Sequence, residues 1–286
     1  MICHQRKIRD EMLAKEGCAL GRYTLKECSV QRIDRAQAAK IILKYEWLQS
    51  MPQVGRYYYG LIRPDGKVIG AVCFGAGPSL QARDFCGAEN IPRTLCLERG
   101  ACAPIVSKNS HADGAASKLI MRACRALVHD TRKDERIGAF FAYSDQAAGE
   151  LGTVYQAAGW DYIGHGVGRG TKGGRFYRPT GRFDYYTPEG RRVTSRAMRQ
   201  MLKREGFPGT LKEWFPTVGK PAGWTRERQH EKHKYVLVLA KDMALDTERF
   251  VPKPYYKRYD ILAHLSTGAS AADWRVFRGA TYQEIG

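Results

Sequence analysis

The chain has 286 residues, 43% of them hydrophobic, and a net charge of +18, which excludes a disordered protein and leaves room for a sizeable core. No apolar run approaches the ~20 residues that a bilayer-spanning helix requires. The first seven residues lack the apolar stretch of a signal peptide. The eight cysteines include no CxxC pair, so we expect reduced, structural thiols and a soluble cytoplasmic protein.

The positive charge is concentrated in one part of the chain. Residues 169–234 contain 17 Lys and Arg against 6 Asp and Glu, a net charge of +11, with Tyr and Trp interleaved. An even distribution of charge would serve solubility, whereas a concentrated one is typical of a surface that binds a polyanion. We therefore expect a nucleic acid, and no membrane, as the partner.

The first half of the chain predicts a mixed α/β fold. Asp34 is placed to cap a helix, and a Pro-Asp-Gly turn between two apolar runs predicts a β-hairpin. Glu98 and Arg99 are neighbours in one strand, so alternation places one of them toward a cleft. The alternative is a buried ion pair or an edge position. The predicted elements are strand 23–30, helix 35–45, strands 57–62 and 68–75, a loop over 76–94, strand 94–103 and helix 115–129.

The stretch 139–164 predicts a strand, a polar turn, a helix and a second strand. Asp145 follows the first strand at its carboxyl end, where open α/β sheets place their ligands. Tyr155 lies in the helix predicted over 150–158, which Gly159 is placed to end, near the same crevice. The alternatives are a helix N-cap for Asp145 and a packed core residue for Tyr155.

This strand–helix–strand unit resembles the second half of the GNAT acyltransferase fold, in which such a tyrosine often protonates the leaving thiolate. Three segments resemble, more specifically, the Mom family of adenine-modifying, GNAT-like enzymes from Mu-type bacteriophages: Leu97–Pro104, Ala142–Asp145 and Gly152–Trp160. The resemblance covers residues 45–168. It implies an α/β, GNAT-like (acyl-CoA N-acyltransferase) mixed sheet flanked by helices, with a basic insertion before the last strand.

The expected fold divides the chain into three parts. Residues 1–168 form the predicted GNAT-like core, and residues 169–234 form a basic, nucleic-acid-binding insertion held beside the active cleft. Residues 235–286 supply the last core strand, beginning at Tyr235, and a tail with short helices near 261–262 and 271–277. If a phage encodes the chain, its location is the host cytoplasm.

The resemblance implies transfer of a carbamoylmethyl group to adenine N6 in double-stranded DNA, which protects phage DNA from host restriction. Acetyl transfer cannot give this group, because it would give an amide that lacks the second nitrogen. A glycyl group on N6 is an isomer of it, so an aminoacyl-tRNA donor followed by rearrangement balances the atoms. Both acyl-CoA and aminoacyl-tRNA remain as donors, and tRNA remains as a second partner.

The loop at 104–114 departs from the usual coenzyme A pattern, Arg/Gln-x-x-Gly-x-Gly/Ala. Only the glycine and small residues before the helix remain, which argues against ordinary acetyl-CoA use. His230 and His233 are the candidate ligands for iron or another metal. Two histidines three residues apart in a segment that leads into a strand are poorly placed to bind one ion, so no metal site is predicted. An acetyltransferase for a protein or small amine, and a DNA-binding protein with an inactive core, remain as alternatives.

The candidate site residues divide by expected role. The catalytic candidates are Asp145 as proton acceptor, Tyr155 as acid, and also Ser144, Glu98 and Arg99. The candidates for the cofactor are Lys108, Asn109, Ser110 and Ala103. Those for DNA and its flipped adenine are Tyr45, Trp47, Tyr59, Arg169, Lys172, Arg175, Arg196, Arg199, Lys203 and Arg204.

Overall fold

The structure is a computed structural model that describes residues 3–105, 114–145, 148–165, 183–190, 192–228, 232–249, 253–255, 275–278 and 281–284. The helices are α1 His4–Glu16, α2 Arg35–Tyr45, α3 Ser79–Cys86, α4 Ala115–Asp130, α5 Thr153–Ala157, α6 Ser195–Arg204 and α7 Leu211–Trp214. The strands are β1 Ser29–Arg32, β2 Tyr57–Ile62, β3 Val68–Ala76, β4 Thr94–Cys102, β5 Ala139–Asp145, β6 Asp161–His165, β7 Phe183–Tyr186, β8 Arg192–Thr194, β9 Thr225–Arg228, β10 Lys232–Val238, β11 Lys253–Tyr255, β12 Arg275–Arg278 and β13 Thr281–Glu284.

A seven-stranded sheet with the order β1-β2-β3-β4-β5-β10-β6 forms the centre of the first of two compact units. Only the β4–β5 pair is parallel; the other neighbours within this sheet are antiparallel. Helices α2 and α4 pack on the sheet, and α4 buries an apolar stripe that includes Leu119, Ala123 and Leu127 because these residues recur at helical spacing. The predicted mixed α/β fold is confirmed.

Strands β4 and β5 part after three residue pairs, the last of which joins Cys96 to Phe141. Beyond that point β4 stays paired with β3 and β5 stays paired with β10. Glu98 is the extra residue of a β-bulge, because Cys73 pairs with Arg99 while Phe74 pairs with Leu97. A bulge bends its strand, so the carboxyl-terminal halves of β4 and β5 border an opening.

The turn after β5 differs from the prediction. A helix was predicted over 150–158, but α5 is confined to Thr153–Ala157. Gly152 adopts a φ of 68°, a left-handed conformation that a helix cannot continue through, and a Cβ at this position would lie 2.3 Å from the Tyr235 hydroxyl. Residues 148–152 therefore form a tight loop that lies beside the end of β5.

Several local predictions are confirmed and three are wrong. Asp34 caps α2 in a reciprocal capping box with Gln37, and the predicted hairpin is β2–β3. The strand predicted over 23–30 begins only at Ser29. The region 76–94 contains α3 and a 3₁₀ turn in addition to loop, and β12 occupies part of the helix predicted at 271–277.

The described residues between Phe183 and Arg228 form the second compact unit. It contains a three-stranded antiparallel sheet in the order β8-β7-β9 together with α6 and α7. Its own core is aromatic, with Tyr185, Trp214 and Phe215 packed against Met198 and Leu202 of α6. The sequence predicted α6 but not the three strands, which are only three or four residues long.

The last described residues form a small antiparallel sheet in the order β11-β12-β13. The helix predicted near 261–262 lies outside the described residues. Within the described parts of the chain, none of the helices combines the length and apolar composition that a bilayer crossing needs.

Candidate active site

Asp145 ends β5 at the opening between β4 and β5. Its side chain is buried, with 6% exposed, and its Oδ2 lies 3.5 Å from Nζ of Lys232, which pairs with it across β10. Asp145 does not cap α5, which begins eight residues later and has Gly152 at its N-cap. Asp145 remains a candidate for chemistry.

Glu150, which sequence reasoning placed only at the start of a helix, holds this end of β5. Its backbone N–H donates to the Asp145 carbonyl at 3.0 Å, and its Oε2 accepts from the Asp145 amide at 3.3 Å. Its Oε1 accepts from the Trp47 indole Nε1 at 3.0 Å. Burial raises the pKa of Glu150. The carboxylate thus connects the candidate base with a half-buried indole.

Among the three aromatic candidates, Trp47 alone makes a contact with these residues. Tyr45 is buried and donates its hydroxyl hydrogen to Glu16 Oε2 at 2.8 Å. Tyr59 is 1% exposed and donates to Asp130 Oδ2 at 2.6 Å. A flipped base stacks on an accessible ring face, so the core positions of Tyr45 and Tyr59 do not suit that role.

Arg99 forms an ion pair with Glu46, whose carboxyl group is buried. Its Nε lies 3.5 Å from Glu46 Oε2 and donates to the Ser50 carbonyl at 3.2 Å. Glu46 is 7% exposed, and burial raises its pKa to about 8 against the opposing effect of Arg99. Sequence reasoning missed Glu46, because it directly follows α2 and carries no motif.

Glu98 occupies the bulge of β4, where simple alternation of faces does not apply. Its carboxyl group lies against Gly75 of β3, where a Cβ would come within 2.4 Å of it. Burial raises the pKa of Glu98, and its Oε2 is buried without a hydrogen-bond partner. The bulge and the glycine together make room for a carboxylate beside the opening.

Cys96 lies directly before the bulge, at the last pairing position of β4 with β5. Burial raises the pKa of its thiol to about 12, with Glu98 adding to the effect and Lys232 and Arg99 opposing it. The thiolate is the nucleophilic form of cysteine, so Cys96 is not suited to carry an acyl group near neutral pH. The charges of Glu98, Arg99 and Lys232 all act on this thiol, so these three side chains lie near Cys96.

Tyr155 lies in α5 with its ring 5.0 Å from Tyr235 and 5.4 Å from Trp160, centroid to centroid. Burial raises the pKa of its phenol, and the charges of Glu150, Cys96 and Glu46 add to the effect. The phenol therefore remains protonated at neutral pH and is near Glu150. Ser144 is 2% exposed and pairs with His233 of β10.

Some predicted site residues are placed elsewhere or are not described. The Ala103 amide donates to the Ile69 carbonyl at 2.8 Å, so it has no free donor for a cofactor. His233 Nδ1 lies 3.1 Å from the Tyr162 hydroxyl. The described residues contain no group of three metal-binding side chains. The side chain of Arg196 is not described. The predicted site residues outside the described part of the chain are Lys108, Asn109, Ser110, Arg169, Lys172, Arg175 and His230.

Helix α6 of the second unit has an apolar side and a basic side. Met198 and Leu202 are buried in the core of this unit, whereas Arg199, Lys203 and Arg204 are exposed. Arg199 and Lys203 are four residues apart and so share one face of the helix. This face matches the electrostatic pattern of a phosphate-binding surface.

The free energy of unfolding is expected to depend on Glu46. Its pKa is about 8 when folded, against 4.5 for a free side chain, so the folded protein holds a proton that the unfolded chain releases between these values. Stability therefore falls as pH rises from about 4.5 to about 8. Relative to the wild type, Glu46→Gln should gain roughly 3 kcal/mol of stability between pH 5 and pH 8, measured by chemical denaturation. Equal effects at both pH values, or the same pattern in the exposed control Glu11→Gln, would contradict this.

The strand order and the parting of β4 from β5 beside a bulge define a GNAT-like acyltransferase fold. Solved structures similar to the chain include a putative phosphinothricin N-acetyltransferase (9% identity, 75% of this chain and 99% of that chain covered, TM-score 0.34). An IAA acetyltransferase from Bacillus cereus has 12% identity, coverage of 74% and 99%, and a TM-score of 0.34. A spermidine N-acetyltransferase from Vibrio cholerae in complex with CoA and spermine has 10% identity, coverage of 76% and 98%, and a TM-score of 0.35.

The chain belongs to the Mom protein family. The sequence model of that family matches residues 27–257, which include the whole of the second compact unit and most of the first. A search of curated protein sequences finds no match. The family resemblance drawn from three short segments of the sequence is confirmed.

Proposed function

We propose that this protein modifies DNA by transferring an acyl-derived carbamoylmethyl group to the N6 amine of adenine, and so protects phage DNA from restriction. The observation that supports the proposal is the set of contacts that runs from the Asp145 amide through Glu150 to the Trp47 indole, together with the effect of the Glu150 charge on Tyr155. Membership of the Mom family supports the same conclusion.

The chemistry needs a proton acceptor for the amine and an acid for the leaving group. Asp145 accepts the N6 proton as the new nitrogen–carbon bond forms, and Nζ of Lys232 lies 3.5 Å from its Oδ2. The donor's carbon–oxygen or carbon–sulfur bond breaks, and Tyr155 supplies the proton for the leaving atom. With a glycyl donor the first product is an isomer of the carbamoylmethyl adenine. The rearrangement breaks the bond from N6 to the carbonyl carbon and the bond from the α-carbon to the amino nitrogen. It forms a bond from N6 to the α-carbon and one from the carbonyl carbon to the amino nitrogen, so it needs no further atoms or oxidant.

An adenine within a duplex reaches such a site only after it leaves the base stack, which costs a few kcal/mol. Trp47 offers an indole face for the flipped base, and its Nε1 is fixed by Glu150. The exposed Arg199 and Lys203 offer charge for phosphate contacts, which offset this cost and make binding sensitive to salt.

Mass spectrometry of nucleosides tests the proposal. DNA from cells that express the chain should contain a modified adenosine with the mass of the carbamoylmethyl derivative, which is absent from vector controls. Arg199→Gln/Lys203→Gln should lower its yield, because two phosphate contacts are lost, whereas an acetyltransferase for small amines would not need these residues. Unmodified adenosine in DNA, together with acetylation of a protein or polyamine, would overturn the proposal.

A further inference from the structure

Helix α1 is attached to the rest of the protein mainly through polar side chains. None of its 13 residues, all of which the structure describes, is buried, although Met12 packs against the edge of the main core. Glu16, at the last position of α1, accepts from the Tyr45 hydroxyl at 2.8 Å and pairs with Lys44 at 2.8 Å. These contacts fix α1 beside the carboxyl end of α2.

Gln5 of α1 bonds to the backbone of the turn that follows α2. Its Nε2 donates to the Tyr45 carbonyl at 2.6 Å, and its Oε1 accepts from the Trp47 amide at 3.1 Å. The last carbonyl groups of a helix have no partner within that helix, and α2 ends at Tyr45. One side chain from α1 therefore supplies both the donor and the acceptor that this turn needs.

The same turn carries Trp47, which three contacts hold in place. Gln5 holds its amide, and the His4 ring meets the indole edge to face, with centroids 5.4 Å apart and an interplanar angle of 71°. At the other side Glu150 accepts from the indole Nε1 at 3.0 Å and also from the Asp145 amide. The indole is half-buried, so its plane is fixed while part of the ring stays accessible.

We propose that Gln5 is a positioning residue for base recognition, which fixes Trp47 so that the indole receives the flipped adenine. This proposal rests on the proposed function, because it requires Trp47 to stack on the base. A ring that is ordered before binding avoids the entropy cost of becoming ordered when the ligand arrives. The hydrogen bonds of Gln5 go to the backbone of Tyr45 and Trp47, so its effect on the base passes through Trp47.

NMR of the full-length protein without ligand tests the positioning itself. Gln5→Met keeps the length of the side chain and removes both hydrogen bonds, so the indole N–H resonance of Trp47, assigned by its loss in Trp47→Phe, should shift or broaden. Gln5→Glu keeps an acceptor for the Trp47 amide and should have a smaller effect. An unchanged Trp47 resonance in Gln5→Met would overturn the proposal.

Gln37→Ala is the matched control, because Gln37 has a structural role at the other end of α2. Its side chain accepts from the Asp34 amide in the capping box, so the substitution should lower thermal stability. The Trp47 resonance should stay where it is in the wild type. An equal change of this resonance in Gln37→Ala and Gln5→Met would show a general loosening of α2 and would overturn the proposal.

Titration with adenosine tests the consequence for base binding. Adenosine should perturb the Trp47 resonance of the wild type, and Gln5→Met should bind it about tenfold more weakly, the scale of a weakened stack between a base and an aromatic ring. Gln37→Ala should bind it as the wild type does. Equal affinities of Gln5→Met and the wild type, or no effect of adenosine on Trp47, would overturn the proposal.

Steady-state kinetics of DNA modification distinguish positioning from a loss of folded protein. Gln5→Met should raise KM for the duplex about tenfold with kcat nearly unchanged, because stacking holds the base alike in the ground state and the transition state. A lower kcat with an unchanged KM would indicate less folded enzyme and would overturn the proposal. The resonance and the titration do not depend on DNA modification, so unmodified DNA together with the expected NMR results would contradict the proposed function alone.

Discussion

Asp145→Asn is expected to lower the yield of modified adenosine by at least about 100-fold, the scale of general base catalysis. Asparagine keeps the size of the side chain but cannot accept a proton from the N6 amine. It also removes the charge that faces Lys232 at 3.5 Å. Nucleoside mass spectrometry of DNA from cells with matched expression measures the loss.

Two comparisons make this result specific. Asp10→Asn, on an exposed position of α1 whose carboxylate accepts from its neighbour Arg9, should leave the yield unchanged. Binding of the purified Asp145→Asn protein to DNA should also remain within about twofold of the wild type, because the lost group acts in chemistry. Full modification by Asp145→Asn would show that another group accepts the proton, and Glu150 would be the next residue to replace.

Tyr155→Phe is expected to lower kcat by about 100-fold with little change in KM. The substitution removes the proton donor but keeps the ring contacts with Tyr235 and Trp160, so thermal stability should stay close to that of the wild type. Steady-state kinetics on a short adenine-containing duplex, with the donor established by the modification assay, gives both constants.

The pH profile separates a chemical role of Tyr155 from a packing role. Burial keeps the phenol protonated through the neutral range, so the wild-type rate should show no loss of this acid up to pH 9. The control Tyr235→Phe loses a hydroxyl that donates to the Leu151 carbonyl and should reduce stability more than the rate constant. Unchanged kcat in Tyr155→Phe would mean that solvent or the donor itself protonates the leaving group.

The sequence identified the elements that local patterns specify. The Asp34 cap, the Pro-Asp-Gly hairpin and the apolar stripe of α4 depend on neighbours within a few residues, and they are present as predicted. The short strands β7 to β9 have too few residues to show the alternation of apolar and polar side chains that identifies a strand. Their pairing depends on contacts between distant parts of the chain.

The candidate site was predicted in part. Asp145 and Tyr155 follow from their positions at the end of a strand and inside the next helix. Glu46 and Glu150 were missed, because their importance arises from partners about 50 to 100 positions away, Arg99 and Trp47. The bulge at Glu98 was also invisible, since a bulge is defined by the register of the neighbouring strand.

The place of β10 in the sheet has a consequence for biosynthesis. This strand lies between β5 and β6, yet the ribosome makes it only after the whole second unit. Until then β5 and β6 each expose an unpaired edge, which is a hazard for aggregation during translation. The second unit, whose described residues all precede β10 in the chain, has time to fold first. Completion of the seven-stranded sheet, with Lys232 beside Asp145, is therefore a late step in the synthesis of the chain.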